Sequence, residues 1–355
     1  MNEVDFRFGF RVLGDCRQPR RLIDWQTAFA AYAACDLRAE CRREAYLSAF
    51  AFGADFREHL AATGSTAGFA GPCWAPWVWF DVDREDDLPG ALDAIRRLCV
   101  VLTDKLGIAE DDVLAFVSGG KGFHLGIPSA VWQPAPGRDF HRIARSFAEA
   151  AAELAGVTID AGVYDKARCF RAPNSRHPKT GLHKRRLSVD ELMHLGTDAI
   201  LKLAAEPADF EVPAPTYRSE PAAALWAEAA AQVQREADAR AGRLMSGDAP
   251  CKLNRATLDF IREGASVGDR HRLLYSAAAN LAELGAPLPL CFALLTEAAL
   301  DCGLTPTDTR RAIENGWASA QPGIRGVCGT FGGEVIAVQP APADTSANAG
   351  KGGAR

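Results

Sequence analysis

Three acids in this chain stand where carboxylates can act together. Asp81 and Asp83 close the aromatic run Trp77-Val78-Trp79-Phe80-Asp81-Val82-Asp83, and Asp160 ends the β-branched run Val157-Thr158-Ile159. An apolar run of this kind reads as a strand in a sheet core. Residues two apart on a strand share a face, so Asp81 and Asp83 point the same way. Two like charges on one face repel unless something positive lies between them. A divalent metal meets that need, and carboxylate oxygens suit Mg2+ or Mn2+. The plain alternative is a strand end running into a wet acidic turn, since Arg84, Glu85, Asp86 and Asp87 follow. Asp86 and Asp87 lie beyond the strand and read as solvated surface. Three carboxylates in one place suit two ions about 4 Å apart, which activate an attacking hydroxyl and stabilise a pyrophosphate leaving group.

A second constellation carries the opposite charge. Ser118-Gly119-Gly120-Lys121-Gly122-Phe123-His124 lies between the apolar runs 113–117 and 125–128, giving strand, glycine-rich turn, strand. It is not a Walker loop, which needs Ser or Thr and a helix after its Gly-Lys. Its glycines suggest close backbone approach to a ligand, and successive amides there can cradle an anion. Lys121 adds positive charge, and a flexible hairpin bearing a lysine is the alternative. Between 166 and 186 stand eight Lys or Arg and no Asp or Glu, in a chain of net charge -5. That segment is either a solvated loop or a phosphate-binding surface, because guanidinium forks match phosphate geometry. The amides near Ser118, the His124 imidazole, Lys121, Arg168 and Arg171 together suit a triphosphate. With the three acids they add up to nucleotidyl transfer, a reaction that needs mostly positioning and charge neutralisation.

The elements that must position these groups follow from patterning. Residues 4–14 alternate loosely and read as a strand; Asp24 is placed to cap a helix, and one or two alanine- and arginine-rich helices fill the span to about 62. Helical periodicity covers 91–106 and 140–154. The proline-rich stretch 207–222 reads as a linker, placing a catalytic core at 1–206 and a helical accessory domain at 223–320. Helices around 253–263, 270–285, 288–302 and 306–320 form a small bundle. The segment 321–355 is expected to be largely disordered from 340.

Composition narrows the setting. At 355 residues, 48% hydrophobic and 24% charged, the chain has the make-up of one large or two medium soluble domains. The acidic balance does not support a broadly basic nucleic-acid coat. No run reaches the roughly 18 apolar residues of a membrane span, and the N-terminus lacks a secretory pattern, so a cytoplasmic setting is expected. The ten cysteines are scattered without a CxxC pair, Cys35 and Cys41 being the closest, and no structural zinc is expected.

In family order, these signatures resemble the archaeo-eukaryotic primase superfamily. Asp81-Val82-Asp83 after its strand looks like the first signature, Ser118 to His124 like the second, and Asp160 like the third. The segment Arg171-Ala172-Pro173-Asn174-Ser175 to Lys179-Thr180-Gly181 is similar to the basic stretch that follows it. The resemblance covers about residues 70–190. More loosely, Cys251-Lys252-Leu253-Asn254 and Gly268-Asp269-Arg270 look like the start of the helical domain of plasmid and phage primase–polymerases.

The resemblance implies an α+β fold: a two-module primase core with an RNA-recognition-like sheet, followed by a small all-α domain. It implies that Asp81, Asp83 and Asp160 bind catalytic Mg2+ or Mn2+. Ser118, Gly120, Lys121, Gly122, His124, Arg168, Arg171, Asn174 and Lys179 would bind the nucleotide. The implied activity is DNA-directed nucleotidyl transfer from nucleoside triphosphates on a single-stranded DNA template, with a separate replicative helicase as a partner. The zinc knuckle of archaeal and eukaryotic small subunits has no counterpart here, which favours a mobile-element or bacterial relative. Two alternatives stay open: a primer-dependent repair or gap-filling polymerase, and a mobile-element replication initiator that binds DNA without catalysis.

Overall fold

A computed structural model describes residues 6–245, 253–266 and 268–320. Met1 to Asp5, Cys251-Lys252 and the tail 321–355, about which expectations were stated above, lie outside the described residues. The chain divides into two compact units, Met1–Lys252 and Leu253–Arg355. The first is mixed α+β and the second is helical among its described residues.

The first unit opens with a sheet of its own. Its elements are β1 (Phe8–Leu13), β2 (Arg21–Asp24), α1 (Trp25–Ala33), β3 (Ala45–Ser48), β4 (Ala51–Phe52), α2 (Ala54–Thr63) and β5 (Cys73–Trp74). Asp24 caps α1, accepting from the Thr27 amide at 3.0 Å. Strand β1 pairs antiparallel with β2, β3 and β4, and its Phe10 and Val12 are fully buried. The span 24–62 is therefore not all helical: β3 and β4 interrupt it. Alanine favours helix only weakly. In Ala45-Tyr46-Leu47-Ser48 and Ala51-Phe52, ladder pairing with β1 and burial of Leu47 and Phe52 outweigh that preference.

A second sheet follows, built from β6 (Trp77–Asp83), β7 (Leu114–Val117) and β8 (Gly122–Pro128), with α3 (Leu88–Val100) between β6 and β7. Asp87, read above as surface, caps α3 by accepting from the Gly90 amide at 2.9 Å. Then come α4 (Phe140–Leu154), β9 (Cys169–Arg171), β10 (Arg185–Leu187), α5 (Val189–His194), α6 (Thr197–Leu203) and α7 (Glu220–Met245). The strand order is β10-β7-β8-β6, all neighbours antiparallel, so β8 inserts between β6 and β7 as in a split β-α-β unit. Strand β9 leaves this sheet and pairs with β3 of the first. Trp79 faces Gly126 in the β6–β8 register, and a Cβ on Gly126 would come within 2.4 Å of the indole. Only glycine fits there.

Residues 207–222, read from composition as a linker, pack onto this unit. The Phe210 amide donates to Ala33 O, and its ring lies 5.5 Å from Phe116 and 6.5 Å from Phe29. The Tyr217 hydroxyl accepts from the Ala109 amide. Helix α7 then lays Trp226 against Phe140, Phe147 and Trp132, at 5.1, 5.6 and 5.8 Å between rings. Widely spaced single aromatics anchor this strap, and an average over composition hides them.

In the second unit α8 (Arg255–Glu263), α9 (Arg270–Glu283), α10 (Leu288–Asp301) and α11 (Pro306–Ala320) enclose Phe260, Leu274, Leu281, Leu295 and Ile313. Gly316 lets α11 approach α9, because a Cβ there would stand 2.3 Å from Tyr275 O.

Truncation of Trp226 to alanine is expected to cost about 3–5 kcal/mol, as for large buried aromatics. Chemical denaturation measures it; a loss under about 1 kcal/mol would mean α7 is not part of this core. A pH effect comes from His141 on α4. Burial and the Lys166 charge push its imidazole down from 6.5 to about 4. The unfolded chain then takes up a proton that the folded chain refuses, so stability is lost as pH falls from about 6.5 to about 4. The loss is on the order of 1–3 kcal/mol. His141→Gln should flatten that slope in denaturation curves taken between those pH values.

Candidate active site

The register of one strand pair assembles the acidic side of the site. Asp81 lies opposite His124 and Asp83 opposite Gly122 on β6 and β8. A Cβ on Gly122 would stand 2.1 Å from Val82 O and 2.4 Å from Asp83 Oδ1, so the close pairing there requires glycine. The outer edge of β6 takes the chain after α4. The Asp160 amide donates to Asp81 O at 2.8 Å, and the Tyr164 hydroxyl donates to Trp79 O at 2.5 Å. A single backbone bond thus brings the third acid beside the first. The Asp160 carboxylate itself caps a turn at the Gly162 amide, 2.8 Å, and pairs with Arg168 at 3.3 Å.

Between the two sheets lies a cleft of about 530 Å³. The second sheet contributes Asp81, Asp83, His124 and the turn residues Ser118, Gly120 and Lys121. The first sheet contributes Tyr46 of β3 and Arg171 of β9, while Arg168, His177, Lys179 and Thr180 come from flanking loops. Of the residues expected to bind nucleotide, only Gly122 and Asn174 do not line it. Asp160 borders it through its partner Arg168.

Charge in the cleft is uneven. Asp81 is only 15% exposed, and its Oδ1 is buried with no hydrogen-bond partner. His124 Nε2 stands 3.3 Å from that oxygen but off the line a hydrogen bond needs. Burial alone would raise the Asp81 carboxyl; the His124, Lys184 and Arg168 charges outweigh it and hold Asp81 below its ordinary range. Asp83 is pushed up to about 6, by burial first and then by the Asp81 charge. Burial and the Lys184 charge push the His124 imidazole down, against the pull of Asp81.

Lys184 was not singled out in the sequence. Among the eight basic residues of its segment it alone is fully buried. Its Nζ donates to Arg171 O at 2.9 Å and sits 4.0 Å from the Phe170 ring centre, with Phe116 and Trp79 at 4.9 and 5.0 Å. Cation–π contacts replace part of the lost hydration. Tyr46, His177 and Thr180 were also missed. Tyr46 comes from the other sheet, so no local pattern marks it; His177 and Thr180 stand within the basic segment.

Two of the expected ligand contacts are engaged by the protein itself. The glycines of the turn face protein. A Cβ on Gly119, whose φ is +76°, would stand 3.0 Å from Leu182 O, and one on Gly120 would stand 3.0 Å from His177 Nε2. The Gly120 and Gly122 amides donate to Ser118 Oγ, at 3.2 and 3.3 Å, so these two amides are engaged within the turn. Thr180 Oγ1 ties the basic loop to the turn through Gly119 O, at 2.5 Å. Asn174 is wholly buried: its Nδ2 donates to Tyr32 O and Ala208 O, and its Oδ1 accepts from the Ala208 amide. It joins α1 to the strap and does not face the cleft.

Among the described residues, no group of three or more His, Cys, Asp or Glu side chains is arranged to hold a metal ion. The Asp160 carboxylate is engaged by Gly162 and Arg168. Two features do fit a hard cation: two carboxylates share one face, and Asp81 Oδ1 makes no hydrogen bond.

No protein-family model matches the chain, and no curated protein matches it. One solved structure, described as "Crystal structure of primase RepB'", is similar over 91% of this chain and 92% of that one, at 13% identity and a TM-score of 0.32.

Asn174 combines three side-chain hydrogen bonds with a φ of 58°. Asn174→Ala is expected to lower stability by about 2–4 kcal/mol. Urea unfolding checks this; unchanged stability would return Asn174 to the ligand contacts.

Proposed function

We propose that the chain is a metal-dependent nucleotidyltransferase of the primase–polymerase kind, extending a 3′-hydroxyl or a first nucleotide on a single-stranded DNA template. The observation that carries this reading is the cleft itself. Two strand-borne carboxylates, one oxygen of which makes no hydrogen bond, face Lys121, Arg168, Arg171 and Lys179 across one space. Phosphoryl and nucleotidyl transfer need fixed acids and phosphate-seeking bases within one cleft, here of about 530 Å³. The insertion of β8 between β6 and β7 supports an RNA-recognition-like sheet as one catalytic module, with the N-terminal sheet as the other.

In this reading Asp81 and Asp83 hold Mg2+ or Mn2+, and Asp160 joins them by releasing Arg168. The cation would supply neutralisation of phosphate charge at the reacting centre. The remaining work falls to the chain. Lys121, Lys179 and Arg171 bind triphosphate oxygens, and Arg168 follows once free of Asp160. Ser118 Oγ accepts two amides, so its hydroxyl proton is left to donate to a phosphate oxygen. His124, its imidazole pushed down by burial, donates a ring N–H to a phosphate oxygen. The 3′-oxygen would bond to the α-phosphorus as the bond from that phosphorus to the bridging oxygen breaks, pyrophosphate leaving and the hydroxyl proton passing to solvent. A separate helicase would open duplex DNA for such an enzyme.

Incorporation of labelled nucleotides on unprimed single-stranded DNA tests the proposal, with Mg2+ or Mn2+ and with ribonucleotide and deoxyribonucleotide pools compared. Dinucleotide products are expected. Asp81→Ala/Asp83→Ala and chelation should each reduce incorporation by at least about 10³-fold, the scale of lost electrostatic stabilisation. Strict dependence on a primer would favour a gap-filling polymerase. DNA binding without incorporation in either form would favour a replication initiator.

A further inference from the structure

The acids of the cleft already have a cation beside them. Lys121 Nζ stands 3.7 Å from Asp83 Oδ2 and 3.4 Å from Glu85 Oε2. We propose that Lys121 is an exchangeable counter-ion for the Asp81–Asp83 pair: its ammonium, shared between Asp83 and Glu85, neutralises Asp83, and a divalent cation displaces it from Asp83 while Glu85 keeps its hydrogen bond and the incoming phosphates take the freed donors. This rests on the assignment of Asp81 and Asp83 as cation ligands.

The anatomy of the turn supports exchange by side-chain movement alone. The backbone of Lys121 is fixed, since its carbonyl accepts from the Arg84 amide at 3.1 Å and Gly122 pairs with Asp83. Its side chain is half exposed, and Glu85, 83% exposed, offers a second acceptor on the solvent side. A lysine suits such an exchange because it carries a compact charge on a flexible stem, whereas a guanidinium fork would lock one geometry. The other cations of the site cannot do it. Lys184 is sealed behind Phe170 and held by Arg171 O, and Arg168 is paired with Asp160. Lys179 makes no ion pair among the described residues. Two positive charges cannot stand beside Asp83 without repulsion, so metal entry and lysine departure are one event.

Mn2+ titration of the full chain without nucleotide, followed by the electron paramagnetic resonance of free Mn2+, tests this. Lys121→Met should bind Mn2+ roughly fivefold more tightly than the unaltered chain, the scale of one partly exposed ion pair. Lys179→Met should shift affinity by less than about twofold. With Mn2+ saturating, Lys121→Met should weaken nucleoside triphosphate binding, measured by displacement of a fluorescent analogue. Equal or weaker Mn2+ binding by Lys121→Met overturns the exchange, as does an equal gain from Lys179→Met. Mn2+ binding that survives Asp81→Asn/Asp83→Asn, or is absent from the unaltered chain, overturns the ligand assignment and the exchange with it. Loss of binding in that double variant without tightening in Lys121→Met overturns the exchange alone.

Discussion

The first unit depends on one strand pairing held in one register. β6 and β8 run antiparallel over seven residue pairs, from Trp77 with Pro128 to Asp83 with Gly122. A slip of one residue would turn Trp79, Asp81 and Asp83 together to the opposite face and bring Phe80 and Val82 toward the cleft. Gly126 under the Trp79 indole and Gly122 against Val82 O hold the register, because any larger residue at either position collides. Once it is fixed, His124 stands opposite Asp81, the free edge of β6 receives Asp160 and Tyr164, and the 118–121 turn is aimed at the acids.

A buried carboxylate is tolerable only with positive charge nearby, and the fold supplies that charge from a different sheet. Strand β9 pairs with β3, so Phe170 and Arg171 reach the cleft from the N-terminal side. Lys184 is placed behind them in a shell of three aromatic rings. Isolated burial of an ammonium costs several kcal/mol. Cation–π contacts of about 0.5–2 kcal/mol each, together with the Asp81 charge, offset part of this. The same burial pushes Asp83 up to about 6, with the Asp81 charge adding to it. Sites that store unfavourable charge of this kind are commonly built for ligand binding rather than for stability.

Local signals and their failures divide along physical lines. The strand 77–83 is legible because a continuous apolar run needs no partner to be recognised. The helices of the second unit are legible for the same reason: glycine breaks at 264, 285 and 303 separate periodic segments. The strands β3 and β4 are not, since alanine-rich composition says helix and only the ladder with β1 says otherwise. The strap at 207–222 reads as a linker because its prolines are local while its anchors, Phe210 and Tyr217, act at a distance. The glycine turn is the clearest case. Three glycines mark close approach correctly, but what approaches is the chain's own backbone and His177.

The amino-acid sequence alone determined which groups of the chain carry charge and on which strand face they stand. Period-two alternation places Asp81 with Asp83, and a turn flanked by strands places Lys121 and His124 at one end of a hairpin. Tertiary structure decided which of these groups meet. Lys184 and Asn174 lie ten residues apart in one basic stretch, yet one is a buried amine behind Asp81, pushed well below the usual lysine range by its burial, and the other a structural clamp between α1 and the strap. Tyr46 enters the cleft from a strand 35 positions before Asp81, by way of β9. The reason is that pairing between distant strands fixes which side chains share a space, and no window of sequence contains both partners.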